Sequence, residues 1–237
     1  MFTLLKLGAL DLGSRRQMIV KGVVEDDVLI VKSYNYSYIE EEEKREKIRK
    51  LDEFLENNVL NEDFDAIILE RRFKDKRKKK ILTKKEGYKT DIYTFITLSE
   101  YAKNKLLKSN VKLLTVEASN IEAFKITRRK GNFSLPGWKQ ILTGINKPND
   151  KEVEKEINSL VNKGKILYEV NIEDLLAQKV KFYIDFIDAV GMLYAYILRP
   201  EIFVLEEAPK EDDDNKNDFY NEITKELLEK FLGPIVS

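Results

Sequence analysis

The chain has 237 residues, with 42 basic and 42 acidic side chains and a formal net charge of zero. Apolar residues make up 43% and charged residues 35%, enough apolar surface to bury a core and to exclude wholesale disorder. Cysteine and histidine are both absent, which excludes disulfides, thiolate chemistry, imidazole metal ligands and Ser-His triads. A catalytic site in this chain is therefore built from carboxylates, lysines, hydroxyls and metal. The opening MFTLLKLGALDLG is too polar and too short to read as a signal peptide, and the expected location is cytoplasmic.

Residues 3–12 alternate weakly and read as a strand, followed by a Gly13-Ser14 turn. Residues 17–24 and 28–36 read as two more strands, separated by the turn Glu25-Asp26-Asp27. Three strands joined by tight turns form an antiparallel meander. From Glu40 to Asn58 the pattern turns helical, with Ile48, Leu51, Leu55 and Val59 on one stripe. Residues 65–70 (DAIILE) suit a buried parallel strand. A helix follows over 91–109, with Ile92, Phe95, Leu98, Ala102 and Leu106 aligned, then a strand over 111–117. A further helix is predicted at 119–130, a polar one at about 150–162, and a buried one over 173–198. The order predicts an α/β fold: a mixed five-stranded sheet with helices on both faces. Residues 1–200 form the expected domain. Residues 206–218 hold seven acids and two lysines, so 201–237 is read as an acidic linker and an amphipathic helix at 218–232.

The stretch 182–198 (FYIDFIDAVGMLYAYIL) is apolar but for Asp185, Asp188 and Gly191. A membrane span needs about 20 apolar residues, and each central Asp costs roughly 2.5–3.5 kcal/mol, so a buried helix is expected instead. Its two aspartates are three apart and share a face. Ionised carboxylates in such a setting need a cation, a basic partner or water. Asp11 ends the first strand and Glu70 ends the run AIIL. Taken alone, the first suits a turn and the second a solvated strand end. If the two strands are neighbours, both acids meet the helix pair at one sheet edge. Four carboxylates from three segments then call for divalent cations, and oxygen-only ligands favour Mg²⁺ or Mn²⁺. Two such ions can clamp the attacking and leaving oxygens of a phosphodiester.

LDLGS (10–14), ILERRF (68–73) and DFIDAVGMLYAYI (185–197) together resemble the RuvC-type Holliday-junction resolvases of the ribonuclease-H-like superfamily. The resemblance implies a ribonuclease-H-like fold over roughly residues 3–198 and a catalytic, metal-binding set of Asp11, Glu70, Asp185 and Asp188. It implies two Mg²⁺ ions, with Mn²⁺ as a substitute, hydrolysis of branched DNA and a homodimer. The chain departs from the family in a longer stretch between Glu70 and the DxxD pair, in lacking a clear glycine-rich segment before the last helices, and in its acidic tail.

Residues 74–85 (KDKRKKKILTKK) hold eight bases and one acid, and follow Glu70 and the pair Arg71-Arg72 directly. A solvated loop accounts for such a run equally well, but its placement suits phosphate contacts. The candidate nucleic-acid contacts are Arg15, Arg16, Arg71, Arg72, Lys74, Lys76, Arg77, Lys78, Lys79 and Lys80, with Arg128, Arg129 and Lys130 as a second group. Lys125 is a candidate for steadying the phosphate being cut. Phe73 and Trp138 offer rings for base stacking, with core packing as the commoner role for each. Three alternatives stand beside the resolvase reading. The first is the same fold acting on an RNA–DNA hybrid or as a transposase-like strand cutter. The second is an actin-like ATP-binding protein, suggested by strand-DLGS-strand but lacking a second phosphate loop. The third is a non-catalytic nucleic-acid-binding or assembly protein.

Overall fold

In the computed structural model the described residues are 4–40, 43–71, 86–109, 111–118, 136–178 and 180–207. The meander forms as the turn signals require. Strand β1 (Leu5–Leu12) pairs antiparallel with β2 (Arg16–Glu25), and β2 with β3 (Val28–Tyr38). Asp26 and Asp27 at the β2–β3 turn both have positive φ, 47° and 63°. That backbone matches the twist of a two-residue hairpin and is one that Asp tolerates. The register shifts between Lys21, opposite Ser33, and Gly22, opposite Val31, which leaves Lys32 as the extra residue of a bulge in β3.

Helix α1 (Lys44–Leu55) continues into a π turn, Glu56–Leu60. It leads to β4 (Ala66–Arg71), which pairs in parallel with β1. Helix α2 (Glu86–Lys108) crosses to β5 (Leu113–Glu117), parallel to β4. Helices α3 (Trp138–Thr143) and α4 (Asp150–Asn162) follow. The start of α4 is fixed by a capping box: the Asn149 side chain accepts from the Glu152 N–H, and the Glu152 carboxylate accepts from the Asn149 N–H. Next come β6 (Ile166–Tyr168), α5 (Glu173–Gln178), α6 (Val180–Leu198) and β7 (Val204–Glu206).

The sheet order is β6-β3-β2-β1-β4-β5-β7. The five expected strands are its centre, and among the described residues two more strands, β6 and β7, extend it to seven. The two additional strands are three-residue edge strands, too short to leave a period in the sequence. β7 pairs antiparallel with β5, so the sheet runs past the expected boundary at residue 200. Glu206, read from the sequence as part of an acidic linker, accepts hydrogen bonds from Thr115 Oγ1 at 2.8 Å and Lys103 Nζ at 2.5 Å. The helix expected over 173–198 is two helices, α5 and α6. The helix expected at 119–130 and the tail helix at 218–232 lie outside the described residues.

Each face of the sheet has its own apolar cluster. Leu10, Leu12, Ile19, Ile67 and Leu69 point to the face covered by α1 and α2, where they meet Leu51, Phe54, Leu55, Leu98, Ala102 and Leu106. The neighbouring residues of the same strands, Leu7, Ala9, Met18, Val20, Ala66 and Ile68, point to the other face. That face is covered by α3 to α6, with Trp138, Phe186, Val190 and Leu193 buried in it. Among the described residues, no helix is long and apolar enough to cross a membrane.

Candidate functional site

Strand alternation fixes the sides of the first two acids. Asp11 has the parity of Leu7 and Ala9, and Glu70 that of Ala66 and Ile68, so both lie on the face covered by α6. The parallel register pairs Leu10 with Leu69, and one step further along it come Asp11 and Glu70. Asp185 and Asp188 stand on α6, the helix packed on that face. Glu70 is 6% exposed and Asp185 9%.

These acids are held by cations and one indole. Arg16, at the start of β2, donates through Nε to Asp185 Oδ2 at 2.5 Å and through a terminal nitrogen to Oδ1 at 3.1 Å. The hydrogen bonds it donates to Asp185, with the charge of Asp11 nearby, hold the Arg16 guanidinium above its ordinary pKa. Lys139 Nζ donates to Asp188 Oδ2 at 2.8 Å and to Asp150 Oδ1 at 3.0 Å. Trp138 Nε1 donates to Glu70 Oε2 at 3.3 Å. Burial pushes the Asp188 carboxyl up to about 6; Lys139 opposes that shift, while the charge of Glu70 adds to it. Burial pulls Lys139 down, but Asp188 and Asp150 outweigh it and hold the ammonium above its usual range. Through these couplings Asp11 is linked to the Arg16–Asp185 pair, and Glu70 to the Lys139–Asp188 pair.

A close approach makes this arrangement possible. Gly191 lies one turn after Asp188, and a Cβ there would stand 2.5 Å from Trp138 Cζ3. The bare backbone of α6 lets the six-membered ring of the indole come close to the helix while its N–H reaches Glu70. Trp138 is fully buried, so core packing is its role and base stacking is excluded in this conformation.

Among the described residues, no three acidic side chains are gathered tightly enough to form a metal-ion cluster. In this arrangement the two aspartates of α6 are taken up by separate ion pairs on that face, Asp185 with Arg16 and Asp188 with Lys139. The donor set still suits a hard divalent cation, being made of carboxylate oxygens alone. Among the described residues, Asp188 Oδ1 is buried and meets no hydrogen-bond partner, an oxygen that a cation would satisfy.

Arg16, expected to meet nucleic acid, is committed to Asp185. Arg15 sits in the β1–β2 connection, where its carbonyl accepts from the Ile39 N–H. Arg71 ends β4. Phe73, Arg72, Lys74, Lys76, Arg77, Lys78, Lys79, Lys80, Lys125, Arg128, Arg129 and Lys130 lie outside the described residues. Sequence reasoning missed Lys139, Asp150 and the indole contact. The available signal was Gly191, a lone glycine inside an apolar helix, which marks a close approach.

No family model and no curated protein sequence matches this chain. Solved structures do. A yeast mitochondrial Holliday junction resolvase, Ydc2, aligns with a TM-score of 0.53 at 15% identity, over 94% of this chain and 85% of that one. RuvC of Thermus thermophilus in complex with a Holliday junction substrate aligns with a TM-score of 0.51 at 11% identity, over 85% of this chain and 99% of that one. The fold is that of the RuvC-type resolvases. The ribonuclease-H-like α/β architecture expected from the three short motifs is thus the one observed, although identity this low carries the fold and not the activity.

Proposed function

We propose that this chain is a metal-dependent endonuclease that resolves branched DNA, with four-way junctions as its substrate. The observation that supports the reading is the placement of Asp11, Glu70, Asp185 and Asp188 on one face of a sheet that has the resolvase fold. In this reading the four acids hold two Mg²⁺ ions, and Mn²⁺ substitutes. The bound ions supply an acidified water and neutralise charge on the phosphodiester.

The chain's own contribution is placement. Asp11 and Glu70 sit on adjacent, ladder-bonded strands, which fixes their backbones without reorganisation. The indole N–H of Trp138 orients Glu70. Arg16 and Lys139 hold Asp185 and Asp188 ready and screen their repulsion until the ions bind. Lys125 steadies the phosphate being cut. Arg15, the basic run after Glu70 and the group at 128–130 bind flanking phosphates, so affinity falls steeply with salt. A two-fold dimer places two sites on strands of like polarity.

The test compares a four-way junction, an RNA–DNA hybrid and a linear duplex in one Mg²⁺-dependent cleavage assay. Preferential junction cutting is expected, and Asp11→Asn should still bind the junction but no longer cut it. Preference for the hybrid would move the substrate assignment. Undiminished cleavage by Asp11→Asn would overturn the mechanism.

A further inference from the structure

Beside the carboxylates, β3 carries a tyrosine at every second position: Tyr34, Tyr36 and Tyr38. Their cross-strand partners on β2 are Val20, Met18 and Arg16, all on the α6 side of the sheet. The row is continuous with the site in two ways. Tyr38 stands opposite Arg16, the residue that grips Asp185. Asp11 stands opposite Met18, which in turn stands opposite Tyr36. Two strand spacings therefore separate Tyr36 from Asp11, about 10 Å, or on the order of three nucleotide steps of a stacked strand.

Tyr34 is packed edge-on against Phe186 and closes the core. Tyr36 and Tyr38 differ. They lean on Phe182, one turn before Asp185, with ring centroids at 4.5 and 6.4 Å. Yet they remain 37% and 42% exposed, while Phe182 beneath them is 4% exposed. The result is a two-ring surface backed by a buried third ring and bordered by a guanidinium. Such a surface suits a planar ligand, and an unpaired base has a π-face whatever its identity.

We propose that Tyr36 and Tyr38 form a stacking platform for an unpaired nucleobase of the DNA strand held at the carboxylates, next to the branch point. This deepens the proposed function and rests on it. The platform selects for branched DNA because a continuous duplex keeps its bases stacked on each other and offers none to the protein. It gives substrate choice without sequence preference.

The test uses the full chain and four-way junctions carrying 2-aminopurine at the innermost position of each arm in turn, in EDTA to prevent cutting. Wild-type protein should change the fluorescence of at least one such position. The Tyr36→Phe/Tyr38→Phe pair should do the same. The Tyr36→Leu/Tyr38→Leu pair keeps an apolar cover over Phe182; it should lose the signal and bind the junction at least about fivefold more weakly. Its salt dependence should run parallel to wild type, since no phosphate contact is lost. Unchanged affinity and fluorescence in the Leu pair would overturn the platform, as would a shallower salt slope. If the Leu pair fails to fold by circular dichroism, Tyr38→Leu alone decides by the same readings. Wild type that neither prefers nor cuts the junction would instead sink the functional reading itself, whereas junction cutting with an indifferent Leu pair would sink only the platform.

Discussion

The two faces of the sheet are covered in the same way and filled differently. Beneath α1 and α2 the interior is largely apolar, with Gln17 and Lys47 buried on that side, and the acidic side chains are kept to the rim. There Asp52 takes a hydrogen bond from Tyr101 at 2.5 Å and pairs with Lys105, which also reaches Glu56. Beneath α6 the charge lies inside: Asp185 and Asp188 have side chains only 12% and 15% exposed. A rim pair can be lost at little cost, because water replaces the missing partner. An interior pair cannot, because the remaining charge is left in a poor solvent. One face is therefore built for stability, and the other carries charge that stability alone does not call for.

The sharpest way to break this contrast is through activity. Asp11→Asn on the charged face should lower Mg²⁺-dependent junction cleavage by on the order of 10³-fold with little change in melting temperature. Leu51→Ala on the apolar face should do the reverse. Leu51 is fully buried, so truncation should cost about 2–5 kcal/mol in denaturant melts and leave cleavage per folded molecule unchanged. Identical behaviour of the two variants would erase the distinction.

A third prediction follows from Asp188. Its folded pKa of about 6 lies above the ordinary carboxylate value. Between those two values the unfolded chain has lost the proton and the folded chain retains it. Metal-free stability should therefore fall as pH rises from about 4 through about 6, by up to about 3 kcal/mol. Added Mn²⁺ should raise the melting temperature more at pH 7 than at pH 5, because below pH 6 the ion competes with that proton. Gly191→Ala comes next. Its Cβ meets the indole at 2.5 Å, and the overpacking should cost about 1–3 kcal/mol and change Trp138 fluorescence as the indole leaves Glu70. The smallest effect belongs to the rim: Asp52→Asn should cost about 1 kcal/mol or less and leave cleavage intact.

What was legible in the sequence was whatever leaves a period or stands out against its neighbours. The five central strands and α1, α2 and α4 have alternation, stripes or caps. Asp11, Glu70, Asp185 and Asp188 are acids inside apolar runs. β6 and β7 are three residues each and take their conformation from the neighbour they pair with, so nothing local announces them. Lys139 was equally hidden. A lysine in a short helix after Pro136-Gly137 reads as surface, and only tertiary packing turns it inward to Asp188. Arg16 was visible as a cation beside Asp11, but its partner lies 169 positions away, a separation no local pattern spans.

That separation has a consequence for how the protein comes into being. Strands β1 and β4 leave the ribosome before α6, the helix that closes the face over Asp11 and Glu70. A nascent chain that has emerged only as far as β6 presents Asp11 and Glu70 and neither aspartate of the DxxD pair. The acidic constellation is thus assembled only when almost the whole domain has emerged, so an incomplete chain holds half of the set and an unfinished core beside it.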